Sequence, residues 1–163
     1  MHIIIKNKKV YFNHYKVKCA IGKRGISRKK REGDFKTPKG KFRVLYVLYR
    51  KDRVLKLDTS IPKLPIHKNM GWCDDSRSAR YNKLIKFPFK FKAEKLFRKD
   101  NIYDIILILN YNMNPIIKNK GSAVFIHVAR KNYSGTEGCI AIKKIELKKL
   151  LLYINKKTSI EIN

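Results

Sequence analysis

The chain has 163 residues, 44% of them hydrophobic, and a net charge of +28 from 40 Lys+Arg against 12 Asp+Glu. That length favours one domain, expected over residues 1–163, and the apolar content excludes a disordered polyelectrolyte. No run approaches the roughly 20 apolar residues of a membrane-spanning helix, and the start, MHIIIKNKKVYF, lacks the long apolar stretch of a signal peptide.

In chain order, HIII, KKVYF and YKVKCAI are rich in β-branched and aromatic residues and read as short strands with tight connections. Residues 22–40 hold Gly22, Gly25, Gly33, Gly40 and Pro38, the composition of a loop. KFRVLYVLYR returns to strand alternation, polar only at one end, so both of its faces are expected to be covered. Residues 58–92, with Pro62, Pro65 and Pro88, are expected to be irregular, and residues 93–99, AEKLFRK, to form a short helix. YDIILILN (103–110) and AVFIHV (123–128) are the two most apolar strands. Leu147, Leu150, Leu151 and Ile154 fall at helical spacing and predict an amphipathic helix over 144–155, before a last strand, TSIEI. The sum is a mostly β fold with one clear helix, a β-sandwich or half-open barrel rather than an alternating α/β sheet.

The charge attracts any polyanion: nucleic acid, an anionic membrane face or an acidic wall polymer. Lys outnumbers Arg by 30 to 10 and Ile reaches 21, so a genome rich in A/T codons is an equally good source of the charge. No recognition motif, aromatic-basic repeat or zinc-finger spacing accompanies it, and no specific nucleic-acid partner is expected. Cys19, Cys73 and Cys139 form no C-x-x-C pair. A Cys19–Cys73 disulfide is conceivable, but buried thiols are the ordinary reading, and the scattered Cys and His have no metal-ligand spacing.

The stretch FIHVARKNYSGTEGCIAIKK carries the chemistry. His127 ends an apolar strand, and twelve positions later Cys139 follows Gly138 at the start of another. A thiol is a nucleophile only as thiolate, and a neighbouring imidazole is the usual means of making one. Gly138 lets the backbone bend beneath the nucleophile, and the amides of Gly138 and Cys139 are placed to meet an oxyanion, where a pre-placed donor is worth about 2.7–4 kcal/mol. Val128 offers no side chain to orient the imidazole, so a backbone carbonyl is expected in that role. A coincidental structural pair is the competing reading.

The loop TEGC, preceded by a strand ending in His, resembles the nucleophile motif of the L,D-transpeptidase catalytic domain (YkuD) family. GKRGISRKKREGDFKTPKGKF resembles that family's G-x-x-G…TP-x-G-x-F element, while GWCDDSRSARYN and GSAVFIHVA resemble signatures of a short single-domain branch. These matches run in order from about residue 20 to residue 145. Glu137 and Ala141 depart from the histidine and the Arg or Asn that many members carry around the nucleophile.

The resemblance implies a two-step acyl transfer on peptidoglycan. Cys139 attacks a tetrapeptide stem at the L-centre of meso-diaminopimelate, D-alanine leaves, and an amine acceptor resolves the thioester into a cross-link. No metal or organic cofactor is implied, and a periplasmic or wall-facing location is. Thr136, Arg80, Tyr81 and Trp72 are candidate substrate contacts: Arg80 through a bidentate pair with a stem carboxylate, Trp72 and Tyr81 as cleft walls, Thr136 as a hydroxyl beside the nucleophile. For each, a plain structural role competes: a solvated surface Arg, aromatics packed under a loop, a turn hydroxyl. His67 reads as structural, Asp74 and Asp75 as turn caps, and Glu137 should point away from the thiol. Two other functions stay open: a carboxypeptidase or endopeptidase on the same stems, and a non-catalytic basic module that binds wall polymer or nucleic acid.

Overall fold

The structure is a computed structural model that describes residues 1–28 and 31–163. β1 (His2–Lys6), β2 (Lys9–Phe12) and β3 (Tyr15–Ala20) form an antiparallel meander. Asn7 and Lys8, at φ 51° and 54°, close its first hairpin with the two left-handed residues that match strand twist. The glycine-rich segment is not all loop: it holds β4 (Ile26–Ser27), β5 (Thr37–Pro38) and the start of β6 (Gly40–Phe42). Residues 29 and 30 of that segment lie outside the described residues. There follow β7 (Val44–Tyr49), β8 (Lys63–Pro65), β9 (Met70–Cys73), β10 (Leu84–Lys86), β11 (Ala93–Lys95), β12 (Ile105–Leu109), β13 (Phe125–Val128), β14 (Ile140–Ile142), α1 (Lys144–Tyr153) and β15 (Ser159–Ile162).

Ten strands, in the order β6-β15-β1-β2-β3-β14-β13-β12-β7-β8, curl into a half-barrel, and the mostly β class with one helix is as expected. Period-two alternation divides the central strands between two cores. Ile105, Leu107, Leu109, Ile126, Val128, Ile140 and Ile142 face one side, where α1 packs Leu147, Leu150 and Leu151. Ile106, Ile108, Phe125 and Leu48 face the other, against Trp72 and Leu96. This is why these strands read as continuous apolar runs.

The second face is covered by a three-stranded sheet, β10-β9-β11, which corrects two sequence expectations. Residues 58–92 contain three short strands rather than irregular chain alone. Residues 93–99 contain no helix: Ala93, Glu94 and Lys95 pair antiparallel with Cys73, Trp72 and Gly71. Seven residues are too few to stabilise an isolated helix, so backbone pairing with β9 and full burial of Leu96 decide the conformation.

Candidate active site

β13 and β14 are parallel neighbours, with Ile126 opposite Ile140 and His127 opposite Ala141. Side chains two residues apart on a strand share a face. Phe125 and His127 therefore project toward the three-stranded sheet, where Cys139 also packs at the entrance to β14. Cys139, His127 and Thr136 line one cavity of about 840 Å³, walled also by Lys23, Lys92, Glu94, Arg98, Tyr103 and Arg130.

His127 is 7% exposed, and its Nδ1 lies 3.0 Å from the carbonyl oxygen of Val128, the backbone partner expected in the absence of a side-chain one. A carbonyl only accepts, so Nδ1 carries the proton and Nε2 the lone pair. Burial, with the positive charges of Arg98 and Arg130 behind it, pushes the imidazole pKa down to about 4. His127 is thus a neutral base with a fixed tautomer. The edge of the Tyr103–His127 ring pair, centroids 5.3 Å apart at 83°, fixes the tilt of the imidazole.

The loop that leads to Cys139 is held by its own hydroxyl and by the glycine-rich segment. Thr136 Oγ1 donates to the Cys139 carbonyl at 2.6 Å and accepts the Gly138 amide at 3.2 Å. Thr136 also pairs with residues 21–23 through its amide to Ile21 O and its carbonyl from the Lys23 amide, each 2.9 Å. The Cys139 thiol donates to Ala123 O at 3.0 Å.

The sequence candidates separate in space. Thr136 lies beside the thiol, as expected. The Gly138 amide is turned to Thr136 rather than into the cavity; at φ 142° that position needs glycine for its backbone. Trp72 is 1% exposed, stacked edge-on against Phe125 at 5.1 Å, with its indole N–H on Asn82 Oδ1. Tyr81 is 2% exposed, donates to Glu32 Oε2 and accepts the Gly121 amide. Arg80 is exposed and bonds the Leu84 carbonyl. None of these three lines the cavity: the aromatics support its walls from beneath. Glu137 is exposed at the cavity rim, and Asp74 pairs with Lys92 at 3.2 Å. Cys19 and Cys73 are buried thiols, not a disulfide. Among the described residues no cluster of His, Cys, Asp and Glu suits a metal ion.

Three residues of the site escaped the sequence. Thr37, inside the TP-x-G element, accepts the Gly22 amide at 2.8 Å and reaches the Cys139 carbonyl. Glu94 and Tyr103 meet at 2.6 Å in the cavity wall, one from a segment read as helix and the other from the flank of a strand. An isolated acid in the basic run AEKLFRK was the only signal for Glu94.

The curled sheet thus brings His127 and the glycine-preceded Cys139 together at adjacent parallel strands, in one cavity. The model of the L,D-transpeptidase catalytic domain family, YkuD, matches residues 1–162, and the chain belongs to that family. The family acts on the peptides of peptidoglycan, outside the cytoplasm. No curated protein matches the chain. No described helix is long and apolar enough to cross a membrane.

Proposed function

We propose that the protein is a peptidoglycan L,D-transpeptidase with Cys139 as nucleophile and His127 as general base. The observation that carries this reading is the neutral, Nδ1-anchored imidazole on the same sheet face and in the same cavity as the Cys139 thiol. His127 Nε2 takes the thiol proton when substrate draws Sγ away from Ala123 O. The thiolate adds to the carbonyl of the L-centre of meso-diaminopimelate in a tetrapeptide stem. Collapse of the tetrahedral adduct breaks the bond to D-alanine, whose amine leaves with the proton from His127. An acceptor amine then attacks the thioester, gives its proton to His127 and forms the cross-link, and the thiol is restored. A buried imidazole of low basicity loses this proton readily, as the leaving amine requires.

Water in place of the amine makes the same site an L,D-carboxypeptidase. The basic surface suits adhesion to stems and wall polymers that carry carboxylates or phosphates, an attraction weakened by salt.

The test is intact-protein and product mass spectrometry with a disaccharide-tetrapeptide, comparing the natural chain with Cys139→Ala. A thioester adduct on Cys139, with dimer made only by the natural chain, supports the proposal. Tripeptide without dimer replaces it with the carboxypeptidase. Binding with no Cys139-dependent product replaces both with a non-catalytic wall-binding module.

A further inference from the structure

One carboxylate in the catalytic cavity has no part in the chemistry above. Glu94 sits on β11, and its Oε1 accepts the Tyr103 hydroxyl at 2.6 Å. Tyr103 is 4% exposed and edge-on to both Phe125 and His127, so the hydroxyl that holds Glu94 is itself fixed. Two cations of the cavity wall are engaged with other acids. Arg98 forks onto Asp100 at 2.9 and 2.7 Å, and Lys92 pairs with Asp74.

Glu94 therefore forms no ion pair among the described residues, in a chain with 40 Lys and Arg. An acid that makes no ion pair, feels Arg98 only at longer range and is aimed by a neutral hydroxyl is placed to meet a further cation. Burial raises its pKa, opposed by the Tyr103 hydrogen bond and by Arg98, and a cation seated there would lower it again. One oxygen is already taken by Tyr103, which disfavours the two-oxygen fork a guanidinium needs and suits the point charge of a primary ammonium.

We propose that Glu94, oriented by Tyr103, is a specificity residue that receives a primary ammonium group of the peptide substrate. This rests on the reading of the cavity as a stem-peptide site and names the functional group that the site selects. Diaminopimelate supplies such an ammonium on the acyl donor and on the acceptor alike.

The test is equilibrium binding, by calorimetry, to the Cys139→Ala protein, which needs no turnover. Tetrapeptide and tripeptide stems are each used with the side-chain amine unmodified or N-acetylated. At least one unmodified stem should bind about tenfold tighter than its acetylated form, the tetrapeptide if the ammonium belongs to the donor and the tripeptide if to the acceptor. Glu94→Gln keeps an oxygen for Tyr103 and removes only the charge, so it should erase the preference. Tyr103→Phe keeps the charge but releases the carboxylate and should reduce the preference by a few-fold. Absence of any amine preference, or its persistence in folded Glu94→Gln, overturns the proposal. An intact preference in a protein whose natural form yields no Cys139 product leaves the ammonium site standing and sinks only the transpeptidase.

Discussion

Thr37 and Thr136 converge on a single atom, the carbonyl oxygen of Cys139, from 3.4 and 2.6 Å. One hydroxyl comes from the glycine-rich segment and the other from the loop that leads to Cys139, so a contact distant in sequence fixes the backbone of Cys139. Thr136→Val leaves the Cys139 carbonyl and the Gly138 amide short of a partner, at a cost of about 1–3 kcal/mol. On the proposed mechanism, displacement of Cys139 should slow acylation by roughly 100-fold. Thr37→Val should cost less at the thiol but strand the Gly22 amide. Urea unfolding and single-turnover acylation of both variants and their double would show non-additive losses, since the two share an acceptor.

His127 predicts an unusual acid sensitivity. Its pKa is about 4 in the folded chain, against about 6.5 when unfolded. Between these values the unfolded chain binds a proton that the native one refuses, so stability falls as pH drops from about 6.5 to about 4, by about 3 kcal/mol in all. Above that window the group contributes no pH dependence. Urea midpoints measured from pH 4 to pH 7 should show a shallower slope in His127→Gln. The acid limb of kcat/KM for the natural chain should lie below the usual histidine range.

Thiol accessibility separates the three cysteines. Cys19 is 1% exposed, with burial pushing its pKa up to about 12, and Cys73 is fully buried, whereas Cys139 is partly exposed in the cavity. Iodoacetamide should add once to the native chain, at Cys139, and three times after denaturation. Peptide mapping would locate the first label; early modification of Cys19 or Cys73 would contradict the burial.

Gly22 permits the contact between the glycine-rich segment and the loop that leads to Cys139. A Cβ there would lie 2.4 Å from Phe35 O and 2.8 Å from Thr37 N, both backbone atoms that cannot swing aside. Gly22→Ala should destabilise by roughly 1–3 kcal/mol and lower the acylation rate by displacing Thr37. A thermal melt paired with the acylation assay would separate the two effects. Gly25→Ala is a useful contrast, since its Cβ would meet open space and its cost would come only from φ 79°.

What the sequence disclosed was mostly local. Cys139 and His127 stand out because a short span carries both, and α1 because four apolar residues repeat at helical spacing. β7, β12 and β13 were legible as two-faced strands because few polar residues interrupt them. The register that brings His127 opposite Ala141 was not, since pairing is set by the whole sheet. β11 was misread because AEKLFRK has respectable helix formers, and only its non-local pairing with β9 makes it a strand. The same error hid Glu94, and with it the reason for Tyr103 to face the cavity. Trp72 and Tyr81 show the converse: their residue types suit a cleft, yet the partners Asn82, Phe125 and Glu32 hold them buried beneath its walls.

The parallel pairing of β13 and β14 also limits how the active site can change. The chain leaves Val128 and re-enters the sheet at Ile140, so residues 129–139 must return along the full length of the strands. Parallel neighbours ordinarily need a dozen or more connecting residues; here eleven suffice because the strands are short, and the loop is pinned at Thr136, whose amide and carbonyl pair with Ile21 and Lys23. That pin, three residues before Cys139, sets where the loop delivers it, with the Thr136 hydroxyl on the Cys139 carbonyl as the last link. Substitutions at Arg130 and Ser134, which line the cavity ahead of that pin, can therefore retune it without displacing Cys139, whereas a change at Thr136 moves it.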